Sequence, residues 1–216
     1  MALGAGGAAL AYWAPRGASP PRVARPGELL PRAAVRATVG GALAGCDLIL
    51  HAGDVTAPSV VEWCAQFAPV LIAEGNNDIF DDARMAKKQM LDIHGWRIGM
   101  AHELRPESRP IDQILQSSLD GERVDVLIGG DTHVERLEFR DNVLLINSGS
   151  PILPHHLSTR LGTVGILEVT PASVRSEIVV LGHSEGSANP CKAMYLEVMA
   201  EHLSRHGGGF TAEAAR

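Results

Sequence analysis

The sequence predicts an α/β protein, on three observations. Four short apolar runs, within residues 47–55, 70–73, 96–101 and 124–128, each end at polar side chains, in three cases by way of a glycine. Between them lie stretches with helical spacing, such as Val60, Val61, Cys64 and Phe67, and Ile111, Ile114, Leu115 and Leu119. Beyond residue 133 the pattern turns to consecutive strands joined by turns such as Arg140-Asp141-Asn142 and Thr170-Pro171-Ala172.

Taken in order, residues 1–41 are rich in Ala, Gly, Pro and Arg, bury little apolar surface and predict a poorly ordered segment. A short strand at 10–13 and a helix over 30–43, with Pro31 in its first turn, are the regular elements expected there. A domain over 42–183 follows. It opens with Asp47-Leu48-Ile49-Leu50-His51-Ala52-Gly53-Asp54, a buried strand whose glycine turns the chain so that Asp54 enters the crevice at the strand's carboxyl end. The helix 57–67 and the strand 70–73 complete a strand, helix, strand unit. Asp82 at an N-cap suggests a charged helix over 82–90. Strands are then expected at 134–139, 143–146, 162–169 and 174–181. Residues 184–216 read as a linker and a C-terminal helix over 193–203.

A chain of 216 residues with 45% apolar and 20% charged residues fits one substantial core, and no apolar run nears the roughly 20 residues that span a bilayer. A net charge of −6 disfavours non-specific nucleic-acid binding but leaves room for a phosphorylated substrate held through metal ions. Cys46, Cys64 and Cys191 are odd in number and lack metal-ligand spacing, which fits a reducing, cytoplasmic location. The first 13 residues lack a charged n-region and a continuous apolar h-region, so a signal peptide is not expected.

The strand ends collect Asp54, Asn76, His102, Asp131 and His133. Carboxylate, amide oxygen and imidazole together suit Mn, Fe, Zn or Ni. Each also has a plain alternative: His102 as a hydrogen-bonded core histidine, Asn76-Asn77-Asp78 as a turn, Asp131-Thr132-His133 as a helix N-cap. Their common placement after apolar strands favours a metal site.

Gly53-Asp54, Gly75-Asn76-Asn77-Asp78, His102, Gly130-Asp131-Thr132-His133 and Asn147-Ser148-Gly149-Ser150, in that order, resemble the calcineurin-like metallophosphoesterase superfamily. Within it the closest likeness is to small bacterial and archaeal phosphodiesterases related to the phosphoesterase-like subunit of retromer. The resemblance covers about residues 46–181. It implies a four-layer α/β/β/α sandwich of two mixed sheets flanked by helices. It also implies a two-metal centre where a metal-bound hydroxide attacks the phosphorus of a small phosphate ester in line, with Mn the first choice of ion.

On this likeness Asp54 bridges the metals, Asn76 and His102 serve the second, His133 serves the first, and Asp54, Asn76 and His102 are the catalytic set. Asp78 orients neighbouring groups; His51 and Asn77 lie close enough to matter, and His155 and His156 follow a family-like turn. The chain departs from the family twice. No Asp-x-His can open it, because the first aspartate is Asp47 and the first histidine His51, and Asp131 stands where the family has His. The first metal is thus left with too few ligands and the second gains a carboxylate, so an impaired phosphodiesterase is expected. A non-catalytic interaction scaffold is the alternative, and a homo-oligomer is open to either. The Ala-Gly-Pro-Arg opening, without Asp, Lys or His, also has the composition of an out-of-frame stretch of GC-rich DNA.

Overall fold

Strand pairing, more than helix, organises this chain. The structure, a computed structural model, describes residues 9–13, 32–155, 161–182 and 189–203, of which 9–13, 32–37 and 202 are described by backbone alone. In order come β1 (Ala9–Trp13), α1 (Arg32–Leu43), β2 (Leu48–His51), α2 (Pro58–Cys64), β3 (Val70–Ala73), β4 (Met85–Ala86), β5 (Lys88–Ile93), β6 (Trp96–Ala101), α3 (Ile111–Ser118), β7 (Val126–Gly129), β8 (Glu135–Arg140), β9 (Val143–Ser148), β10 (Thr163–Val169), β11 (Ser173–Val180) and β12 (Met194–Met199). A 3-10 turn, Ala200–His202, follows.

Two sheets result, with strand orders β12-β11-β10-β1-β2-β3-β4 and β5-β6-β7-β9-β8. They pack face to face, because side chains alternate between the faces of a strand. Leu50 of β2 and Ile98, Val126, Ile128, Leu144 and Ile146 of the second sheet meet in one core between the sheets. The intervening residues point outward. Ile49 and Ile72 pack beneath α1 and α2 with Val39, Leu43 and Val61, while Leu127, Val143 and Leu145 pack beneath α3 with Ile111, Ile114 and Leu115. Helix, sheet, sheet, helix is the four-layer α/β/β/α sandwich that the resemblance implies. Among the described residues no helix is long and apolar enough to cross a membrane.

Two expected helices are strands. Asp82 does not cap a helix over 82–90: its carboxylate takes the backbone N–H and Nε of Arg84 at 2.9 and 2.7 Å, which closes a turn. The chain then runs out as β4, parallel to β3, and β5, antiparallel to β6. The C-terminal helix expected over 193–203 is instead β12, antiparallel to β11. In both places an open sheet edge offered backbone groups that needed partners, and long-range pairing outweighed local helix preference. The alternation was legible at β12, where Val198 is buried while Tyr195 and Glu197 are exposed.

The three segments read from composition are not separate in space. β1, from 1–41, and β12, from 184–216, both join the first sheet. The order of 1–8 and 14–31 lies outside the described residues. β1 sits centrally, parallel to β10 but antiparallel to β2, with Ala9 opposite His51 and Tyr12 opposite Leu48.

Candidate metal centre

β2 and β3 run parallel, as do β6, β7 and β9, so their carboxyl ends gather the ligand-type residues at one edge of the sandwich. Asp54 leaves β2 through Gly53, both with positive φ (56° and 93°). Asp78 fastens the two neighbouring loops. Its carboxylate accepts the N–H of Asp54 (3.1 Å), Thr56 (3.1 Å) and Gly75 (2.8 Å). This is the orienting role expected of Asp78. Asn77 aims the Asp54 carboxylate, donating its N–H to Oδ1 (2.9 Å) and Nδ2 to Oδ2 (2.8 Å).

The sheets approach closely here. A Cβ on Gly53 would stand 2.5 Å from His102 Nδ1, and one on Gly75 would stand 2.3 Å from the Asp54 nitrogen. Gly75→Ala is therefore expected to cost about 2 kcal/mol and to move Asp54, because the obstructing atom is backbone and cannot step aside cheaply. Thermal unfolding and metal titration measure this; a variant equal to the parent in both would show the crowding to be harmless.

His102, 5% exposed, links the sheets through Nδ1 and the carbonyl of Ala52 at 2.6 Å. A carbonyl only accepts, so Nδ1 carries a proton, and in the neutral form of the ring Nε2 would present a lone pair. Around Nε2 stand three oxygens: Asn76 Oδ1 at 3.1 Å, Asp54 Oδ1 at 3.5 Å and Asp131 Oδ1 at 3.7 Å. A proton on Nε2 would satisfy one of them; a divalent cation among them would satisfy all. Donor atoms bound to one ion at about 2.1 Å lie roughly 3.0–3.4 Å apart, close to these separations. By its chemistry, a set of two carboxylates, an amide oxygen and an imidazole suits one divalent cation.

Among the described residues, no group of three or more His, Cys, Asp or Glu side chains is placed so that it could hold a metal ion as it stands. Asp54 is held by Asn77, one of the four donors is an amide, and Asp131 Oδ2 contacts Arg105 Nε in an ion pair. Asp131 is presented at a φ of 62° on a loop pinned by buried Asn147, whose Nδ2 lies 2.8 Å from the Gly130 carbonyl, 3.0 Å from Thr132 Oγ1 and 2.8 Å from Glu107 Oε1.

The structure thus brings Asp54, Asn76 and Asp131 within 3.7 Å of His102, and no hydrogen bond or ion pair ties the His133 ring to them. The His133 ring makes no hydrogen bond or ion pair among the described residues; its carbonyl accepts the N–H of His155 at 3.2 Å. His156 lies outside the described residues. His51 is buried with Nδ1 unpartnered among the described residues, and burial pushes its pKa down to about 4 against the opposing pull of Asp78 and Asp54. Asn77, noted from the sequence only as close enough to matter, holds the Asp54 carboxylate; Arg105 is the site residue that motif reading did not place, and it carries no signal beyond standing three positions from His102.

A cavity of about 500 Å³ opens beside Asn76 and His102 and is lined also by Lys87, Lys88, Ser117 and Ser118. Lys88 is engaged by Asp120 and Glu122 at 2.9 and 3.0 Å.

Comparison with known proteins bears on the family and the fold. A probable metallophosphoesterase of Methanothermobacter thermautotrophicus is 30% identical over 137 residues, 63% of this chain and 77% of the relative. One of Methanocaldococcus jannaschii is 34% identical over 110 residues, 50% of this chain and 55% of that protein, so the match spans little more than half of its length. In fold, the chain is similar to the Vps29 of Entamoeba histolytica complexed with zinc (TM-score 0.60, 18% identity, 88% of this chain and 98% of that one). It is equally similar to the Vps29 of Cryptosporidium parvum (TM-score 0.62, 19% identity, 90% and 99%). Residues 31–172 match the calcineurin-like phosphoesterase superfamily domain, and the chain belongs to that superfamily.

Proposed function

We propose that the chain is a phosphodiesterase that works with one divalent cation, Mn by preference, held by Asp54, Asn76, His102 and Asp131. The observation that carries this reading is Nε2 of His102 facing three oxygens within 3.7 Å. When bound, the cation supplies Lewis acidity and a reactive water at neutral pH, tempered by two carboxylates on the same ion. The protein's own part is orientation. Ala52 fixes the tautomer of His102, Asn77 fixes the Asp54 carboxylate, and Asp78 holds the loops of both to one another.

A diester is favoured over a monoester because the cavity of about 500 Å³ beside Asn76 and His102 has room for a second esterified group. β1 supplies no Asp-x-His, and its amino end, not its carboxyl end, lies beside His51. One ion per chain follows. The three cysteines are buried and form no disulfide among the described residues, and burial raises each thiol to about 11, as suits a reducing, cytoplasmic setting.

The scaffold alternative asks for an exposed apolar patch away from Asp54. Ile79, Val134 and Tyr195 are the large exposed apolar side chains among the described residues, and the first two adjoin the site segments. The deciding experiment is metal content after purification in Mn, with hydrolysis of bis-p-nitrophenyl phosphate by the parent and Asp54→Ala. One Mn per chain and loss of hydrolysis in Asp54→Ala are expected; equal rates for the two proteins would exclude catalysis at this site.

A further inference from the structure

Arg105 has half of its guanidinium spoken for and half on offer. Its Nε contacts Oδ2 of Asp131, a carboxylate only 9% exposed, whereas the Arg105 side chain is 55% exposed. Neither Nη group donates a hydrogen bond to any described residue, and the neighbouring Glu103 carboxylate stands 3.7 Å from Nε, beyond hydrogen-bonding distance. The segment carrying Arg105 is fixed. Leu104 is 1% exposed and fills the space beside Gly129, where a Cβ would meet Leu104 Cδ1 at 2.4 Å, and Arg140 reaches the carbonyls of Glu107 and, at 2.6 Å, Arg109. The contact is an ion pair without a hydrogen bond to Asp131 Oδ2, and a guanidinium held beside that carboxylate on a fixed segment keeps its two Nη groups as a planar fork, which matches two oxygens of a phosphate.

The other oxygen of Asp131, Oδ1, faces Nε2 of His102 at 3.7 Å. Asp131 therefore joins the fork to the donor cluster through a single carboxylate, and a phosphate beside that cluster has the fork within reach. A dialkyl phosphate has two non-bridging oxygens and one negative charge. One fork matches that anion in both geometry and charge, in a site where the ligands for a second cation are missing.

We infer that Arg105 binds the two non-bridging oxygens of a phosphodiester at the site of Asp54, His102 and Asp131, taking the anion-holding part that a second metal ion would otherwise play. The inference rests on the phosphodiesterase reading above and deepens it.

The test uses the full Mn-loaded chain with dimethyl phosphate as the probe, and compares the parent with Arg105→Lys and Arg105→Met. Lysine retains the charge and an ion pair with Asp131 but loses the fork; methionine loses both. Expected are unchanged Mn content, thermal midpoints equal to the parent's for Arg105→Lys, and an inhibition constant for dimethyl phosphate raised about tenfold in Arg105→Lys and more in Arg105→Met. The KM for bis-p-nitrophenyl phosphate should rise in step, with a smaller change in kcat. An inhibition constant unchanged in Arg105→Lys, with Mn retained, overturns the inference and leaves the metal reading standing. Should Arg105→Met fail to fold, Arg105→Lys decides. A parent chain that takes up no Mn overturns the metal reading, and this one with it.

Discussion

Asp78→Ala is expected to lower the folding stability by about 3 kcal/mol and to abolish Mn uptake. One carboxylate accepts three backbone N–H groups, from Asp54, Thr56 and Gly75. Hydrogen bonds to a charged group contribute roughly 1.5–3 kcal/mol each, and losing three together gives less than their sum because the site is part-buried and water replaces some of them. Two of the freed donors belong to residues at positive φ, Asp54 (56°) and Thr56 (61°), a conformation that a β-branched threonine holds only under constraint. Freed of that constraint, the Gly53–Thr56 turn relaxes and Asp54 leaves His102. Urea denaturation followed alongside Mn titration measures both effects. A midpoint within error of the parent would show that the loops are held by other means, and Asp78→Asn, which keeps an oxygen acceptor, should fall between.

His51 sets an acid limit to stability. The folded chain keeps its ring neutral down to about 4, against 6.5 for a free histidine, chiefly because the ring is buried. Between those values the unfolded chain binds a proton that the folded chain refuses. Stability is therefore complete above pH 6.5 and falls as the pH drops towards 4, by at most about 3 kcal/mol over the window. The check is metal-free denaturation of the parent and His51→Gln at pH 7.5, 6, 5 and 4.5. The parent should lose up to one proton's worth of stability per pH unit through the window, and His51→Gln should lose clearly less. Parallel slopes would move the acid sensitivity to other groups.

Much of this was legible in the sequence because strand ends carry their own punctuation. Gly53-Asp54, Gly75-Asn76 and Gly130-Asp131 announced where the chain turns out of a strand and presents a polar side chain, and the structure gathers Asp54, Asn76, His102 and Asp131 accordingly. The continuous apolar run at 124–128 read as a strand, and in the structure Val126 and Ile128 pack between the sheets while Leu127 packs beneath α3. Edge strands were the failure. Residues 85–93 and 194–199 hold Lys, Gln, Met, Leu and Glu, which suit a helix, and only the unpaired rims of β3, β6 and β11 draw them into strands. His133 was taken as a ligand from its motif, and its ring makes no bond to the cluster among the described residues. Arg105 gave no pattern at all; its importance is set by Asp131, 26 positions away.

The direction of the first strand has an engineering consequence. Because Ala9 lies across from His51 and Tyr12 across from Leu48, a metal-binding pair grafted after Trp13 would emerge on the far rim of the sheet, a full strand length from Asp54. Rebuilding a binuclear centre from the carboxyl end of this strand thus calls for reversing its polarity, because on its present course only the amino end, at Ala9, lies beside His51.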